Sequence, residues 1–191
     1  MKINDICSIR TGHSFRGKLI NDPEGRIKLI QPKNINNDGS INFNGEKPLQ
    51  ANVSGLKPLK TGDIMVVNRG RFAAAVFAMS EENTWIVPSS ILVLTVKNEK
   101  VLPEYIALYL NSSNGQKLFQ RHYEETTVPF ISTENLGSMD IPIPPIAKQH
   151  ELVGLESTRN EYSQLLTRKL HLHKQFLSHI LTEADQTKER E

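Results

Sequence analysis

The sequence predicts an α+β fold, with a mixed, strand-rich head over residues 1–143 followed by one long C-terminal α-helix over 144–185 and a frayed charged tail over 186–191. Three observations predict it. A proline-rich hinge, Ile141-Pro142-Ile143-Pro144-Pro145, is followed by a stretch with no further proline and a single glycine, Gly154. Ahead of the hinge, short apolar runs alternate with Gly-, Asn- and Pro-containing turns, without the regular strand–helix alternation of a doubly wound sheet. Behind it, apolar residues recur at the spacing of one helical face.

In the head, Ile27–Ile30 and Ile41–Phe43 flank an Asn-Asn-Asp-Gly turn and read as a hairpin. Asp63–Val67 follows a Thr-Gly turn and reads as a buried strand, and Phe72–Met79 and Ser90–Val96 read as two more. Pro103 opens a helix whose apolar residues, Ile106 and Leu110 with Tyr105 and Tyr109, fall at helical spacing. A more polar helix is expected over Ser112–His122, and closing strands over Val128–Ile131 and Met139–Ile143. Cys7 sits among Ile3, Ile6 and Ile9 and reads as a small core residue.

The long helix carries a seam. Leu155, Tyr162, Leu166, Phe176 and Ile180 fall on a seven-residue repeat, and Leu165 and Leu172 widen the stripe. Arg159, Lys169 and His173 interrupt it, and polar seam residues weaken a coiled coil while fixing its register. From Ile146 to about Leu181 such a helix spans roughly 50 Å. Its stability in water depends on something covering the stripe: a partner helix, as the hinge prolines and the length of the stripe favour, or its own head.

Composition excludes several classes. Net charge is only +2, so any nucleic-acid surface has to be a local patch. The lone Cys7 rules out an internal disulfide framework and a Cys-based zinc site. No apolar run approaches the length a bilayer needs and no signal-peptide core opens the chain, so the expected location is the cytoplasm. No Gly-rich phosphate loop or nucleophile elbow is present, and His171 and His173 stand on different helix faces. The expectation is a non-catalytic chain without metal or cofactor.

Nucleic acid is the better direction. Three loops gather cations and amides beside glycine or proline: Arg10–Lys18, Gln31–Asn37 and Asn68–Arg71. Arg and Lys meet phosphates, Arg forks onto guanine, and Asn or Gln pairs two-pronged with adenine. Glycine lets backbone approach a ligand. Singly, each is more readily an ordinary polar loop. Together they nominate Arg16, Lys18, Lys33, Asn34, Asn68, Arg69 and Arg71 for DNA contact, with Thr126 and Thr127 in a fourth candidate loop.

The succession of motifs resembles the specificity subunit of type I restriction–modification systems. An opening helix ending in Ile9-Arg10-Thr11-Gly12 is followed by Leu29-Ile30-Gln31-Pro32-Lys33-Asn34-Ile35 and Asp38-Gly39-Ser40-Ile41. Then come Leu59-Lys60-Thr61-Gly62-Asp63-Ile64-Met65-Val66 leading into Asn68-Arg69-Gly70, and Val101-Leu102-Pro103-Glu104-Tyr105-Ile106-Ala107-Leu108-Tyr109-Leu110-Asn111-Ser112. Leu136–Gln149, with Ile-Pro-Ile-Pro-Pro and a Gln soon after, is the most specific. Two departures stand out: one recognition domain and one helix where that family usually carries two of each, and Lys148 where an acidic residue usually precedes Gln149.

The resemblance implies a half-length specificity subunit whose head is a target recognition domain for double-stranded DNA. It implies docking of a type I DNA methyltransferase subunit, which modifies adenine and holds the S-adenosylmethionine, and of the restriction or translocase subunit. A one-domain chain is then expected to homodimerise through the 146–181 helix and read a bipartite palindrome. A non-catalytic interaction module, or an interfering half-subunit that pairs with another specificity subunit, stays open as the alternative.

Overall fold

In this computed structural model, residues 1–15, 20–21, 27–43, 49–50, 55, 57–79, 83–123 and 127–188 are described. The architecture is α+β, as the sequence predicts: mixed strands and short helices, then one long C-terminal helix. The chain divides into two compact units, Met1–Val153 and Gly154–Glu191.

At the centre of the first unit lies an antiparallel sheet with strand order β1 (Cys7–Thr11), β8 (Ile91–Val96), β5 (Ile64–Val67) and β6 (Ala74–Val76). Successive side chains of a strand point to opposite faces. Ile64, Val66, Leu92 and Leu94 therefore enter one core, and Met65, Val67, Ile91 and Val93 enter a second. Both faces are covered, which is why β5 and β8 read as continuous apolar runs rather than alternating ones.

The first core is roofed by helices α1 (Ile3–Ile6), α2 (Pro103–Asn111), α3 (Ser113–His122) and α4 (Thr133–Ser138). The second core holds Ile30, Ile35, Phe77 and Trp85 and borders a smaller sheet. In that sheet β2 (Ile20–Asn21), β4 (Leu49–Gln50), β3 (Ile27–Leu29) and β7 (Thr84–Ile86) follow one another, with β3 and β7 parallel.

Local chemistry explains the helix starts. Pro103 occupies the first turn of α2, where its missing N–H costs nothing. The Ser112 hydroxyl accepts from the Gly115 N–H at 3.2 Å and caps α3, and Ser132 does the same for α4 from the Asn135 N–H at 3.1 Å. Asn111 ties α2 to the edge of the main sheet, accepting from the Ala74 N–H at 2.8 Å and donating to the Ala74 carbonyl at 2.7 Å. It takes the place of a neighbouring strand.

Several expectations are corrected. The opening helix is only Ile3–Ile6; from Cys7 the chain is strand, because β8 offers it a pairing partner from Val96 to Leu92. Ile41–Phe43 does not pair with Ile27–Ile30. The Asn36–Gly39 turn instead closes a tight loop with the single bridge Ile35↔Ile41, and β3 pairs with β4 and β7. The expected closing strands are isolated bridges, Arg69↔Phe130 and Lys2↔Asp140, with α4 between them. Cys7 is 1% exposed, as a core residue should be.

The long helix, α5, runs Ile146–Lys188. Its first turns belong to the first unit and are fastened by Gln149, which is fully buried. The Gln149 Oε1 accepts from the Leu102 N–H at 2.9 Å, and Nε2 donates to the carbonyls of Lys100 and Pro144 at 2.9 and 2.8 Å. Lys148 beside it is exposed and pairs with Glu151 at 2.6 Å. In the second unit the stripe residues Leu155, Tyr162, Leu165, Leu166, Leu172, Phe176 and Ile180 are 44–65% exposed. No helix among the described residues is long and apolar enough to cross a membrane.

Candidate nucleic-acid interface

Three of the polar loops singled out in the sequence meet in space. After β5 the chain turns at Gly70, whose φ of +80° lies in the left-handed region that side-chain-bearing residues avoid. The Gly70 N–H donates to the Pro129 carbonyl at 2.8 Å, and the Arg69↔Phe130 bridge joins the same two segments. Arg71 then reaches the other way. Its guanidinium donates to the Asn37 Oδ1 at 2.8 Å, to the Pro32 carbonyl at 2.7 Å and to the Ile35 carbonyl. The loops 31–37, 68–71 and 127–130 thus form one surface.

The nominated residues divide sharply on it. Lys33, on the 3-10 turn Pro32–Asn34, is exposed, as are Arg69 and Thr127. The Arg69 guanidinium lies 5.1 Å from the centre of the Phe130 ring, a cation–π contact that steadies the exposed side chain. Arg71 is exposed but spends donors on the 32–37 loop, so the structure gives it a bracing role. Two asparagines are interior. Asn34 is 4% exposed, accepting from the Gln31 N–H at 2.8 Å and donating to the Asn42 carbonyl at 2.9 Å. Asn68 is 3% exposed and donates to the Ser89 carbonyl at 3.4 Å, while its Oδ1 has no partner among the described residues. As placed, both amides lie inside the loops they brace. Arg16, Lys18 and Thr126 lie outside the described residues.

The first cationic loop is not part of this surface where it is described. Arg10 is a strut: it pairs with the buried carboxylate of Asp63 at 3.3 Å and donates to the carbonyls of Lys57 and Pro58. Asp63 is otherwise satisfied by the Thr95 hydroxyl at 2.6 Å and the Lys60 N–H at 3.0 Å. The Lys-Thr-Gly-Asp motif is therefore a turn whose acid is locked inside.

Sequence reasoning missed α3 as a neighbour of this surface. Phe72, next to Arg71, stacks on Phe119 of α3 with ring centres 4.7 Å apart. Gln116 donates to the Phe72 carbonyl at 3.1 Å. Between α3 and the loops lies a cleft of about 300 Å³ lined by Asn37, Arg71, Gln116, Gln120 and Tyr123, among others. The signal was available: Lys117, Gln120 and Arg121 are polar residues spaced along one helical face.

The family model described as type I restriction modification DNA specificity domain matches residues 1–179. The chain belongs to that family. Among solved structures it is similar to the type I restriction–modification S subunit from M. genitalium, with a TM-score of 0.56 and 15% identity over 84% of this chain. It is similar at TM-score 0.59 and 15% identity, over 88% of its length, to the HsdS subunit from Thermoanaerobacter tengcongensis. A chain from a type I R-M system, solved in work on complex assembly and conformational transition, aligns at TM-score 0.64 and 15% identity over 87% of this one. At that identity the likeness is one of fold. The chain spans 38–39% of the length of these structures. No curated protein gives a significant match.

In this specificity-domain fold, two motif residues acquire physical reasons. The Gln of the last motif is the bolt between the hinge, the entry to α2 and the start of α5. The Asn of Tyr-Leu-Asn-Ser is the clasp between α2 and β6.

Proposed function

We propose that this chain is a sequence-specific DNA-recognition component of a type I restriction–modification complex, with the surface built by loops 31–37, 68–71 and 127–130 facing the duplex. The observation that carries the reading is the convergence of those loops, with Lys33 and Arg69 exposed on them and Arg71 bracing two of them together. Exposed cations on backbone-braced loops suit phosphate contact and groove readout. The family membership of residues 1–179 supports the same role.

The remainder of the proposal concerns assembly. The exposed heptad stripe on α5 supports pairing with an antiparallel second copy, which would bury the same patch on both chains about a two-fold axis. Two heads so related read two identical half-sites, a bipartite palindrome with half-site centres about 34–36 Å or a multiple apart, one helical turn of DNA. The helices also offer the dock for a methyltransferase subunit, and contact with the restriction subunit follows from membership of such a complex. The chemistry, adenine modification with S-adenosylmethionine, belongs to the methyltransferase, and this chain acts without catalysis or cofactor of its own.

The test is binding of the purified chain to duplex DNA across a salt series. Phosphate contact makes log K fall linearly with log salt, and replacing Arg69 by Ala is expected to weaken binding. Affinity independent of salt, or binding unchanged in the Arg69→Ala variant, counts against the surface.

A further inference from the structure

We propose that α3 is the specificity-determining helix of the head and that Gln120 reads a base edge, with adenine its preferred partner. The inference deepens the DNA-reading role above and rests on it. Three observations support it. The apolar side of α3 is fixed: Phe119 is fully buried, Gly115 is buried against the Tyr109 and Leu110 carbonyls, and the Phe72–Phe119 stack locks the helix to the Arg69–Arg71 loop. The opposite side is chemically suited to DNA: Lys117, Gln120 and Arg121 are exposed at positions i, i+3 and i+4, which share one helical face. Finally, Gln120 borders the cleft that Arg71 and Asn37 close from the other side.

The amides in this region are not equivalent. Gln116 is committed, donating to the Phe72 carbonyl at 3.1 Å and the Leu110 carbonyl at 2.9 Å. Asn37 accepts from Arg71. Gln120 is exposed, and its amide makes no hydrogen bond among the described residues. A glutamine amide matches the donor–acceptor pair that adenine shows in the major groove, and a helix is the element that groove admits. Lys117 and Arg121, one turn apart, flank it as phosphate contacts. Arg71 is a positioning residue: it joins the 32–37 loop to the 68–72 loop, which packs on α3 through the Phe72–Phe119 stack, and so holds the two walls of the cleft together.

The experiment is selection of bound sequences from randomised duplexes by the full chain, repeated with Gln120→Ala, Gln120→Glu and Lys117→Ala. Gln120→Ala is expected to lower the preference for adenine at one position of the selected site by roughly tenfold, leaving the other positions intact. Gln120→Glu replaces the donating amide by an acceptor and is expected to move that position towards cytosine, whose N4 amino group donates. A merely structural Gln120 would not produce that shift. Lys117→Ala should weaken binding to all sequences alike and reduce the slope of log K against log salt by about one. Unchanged selected sites in both Gln120 variants overturn the proposal while leaving the DNA-reading role standing. Absence of salt-dependent DNA binding by the unsubstituted chain overturns both. Equal melting temperatures for the variants confirm that exposed Gln120 carries no folding role.

Discussion

Replacing Gln149 by Met tests whether the last family motif is a structural bolt. The side chains are similar in length, but methionine offers neither the acceptor nor the donors. The Leu102 N–H would be left buried without its 2.9 Å acceptor, and the carbonyls of Lys100 and Pro144 would lose their shared donor. An orphaned buried N–H costs about 1–3 kcal/mol. Carbonyls tolerate under-satisfaction better, so together they add about 1 kcal/mol. The expected loss is about 2–4 kcal/mol, or roughly 4–16 °C in melting temperature for a unit of this size. The assay is thermal unfolding of the full chain followed by circular dichroism, with a urea titration to check the m-value. Lys148→Ala is the control, since the exposed Lys148–Glu151 pair one position away is worth about 0.5 kcal/mol. A Gln149→Met chain melting within a degree of its parent would contradict a fastening role for Gln149, as would an equal loss from Lys148→Ala.

Two further outcomes are expected. Substituting Asp for both Leu166 and Phe176, at 44% and 64% exposure on the α5 stripe, should leave head unfolding unchanged and reduce the proposed homodimer to a monomer by light scattering; a dimeric mass kept by the variant would remove the helix from the pairing surface. Burial pushes the Cys7 thiol up from 9.0 to about 11. The folded chain then keeps a proton the unfolded chain releases, so this contribution is intact below pH 9 and lost as pH rises through about 11. Across that window the parent should lose about 2–3 kcal/mol more stability than Cys7→Ala; parallel pH curves for the two would contradict the burial argument.

What the sequence made legible follows from how local each signal was. β5 and β8 were plain because sheet and helices cover both of their faces, forcing unbroken runs such as Ile64–Val67. α2 announced itself through Pro103, and α5 through its heptads and the prolines before it. The opening helix, expected to run to Ile9–Gly12, stops at Ile6 because Cys7 pairs with Val96, 89 positions away, and the segment becomes β1. α4 escaped notice because it is six residues long, with Gly137 inside it.

The surface was legible at the level of loops but not of side chains. Arg69 and Arg71 are one residue apart with the same guanidinium, yet one lies over Phe130 and the other braces the 32–37 turn. Asn34 and Asn68 carry the same amide as a base reader, but burial commits them inward. Hydrogen-bond satisfaction depends on which carbonyls the fold brings near, and sequence spacing does not encode that. The contribution of α3 was hidden for a related reason: the Phe72–Phe119 stack and the Gln116–Phe72 hydrogen bond, both between residues distant in sequence, bring the helix beside the loops.

The measurement to make is a map of modified adenines in DNA from cells expressing this chain with the proposed methyltransferase subunit, against cells lacking this chain alone. Two-fold recognition by a pair of these chains predicts modification that depends on the chain and falls at a split palindrome. Dependent modification at an asymmetric site would retain recognition and contradict the two-fold pair; modification indifferent to the chain would contradict the recognition role itself.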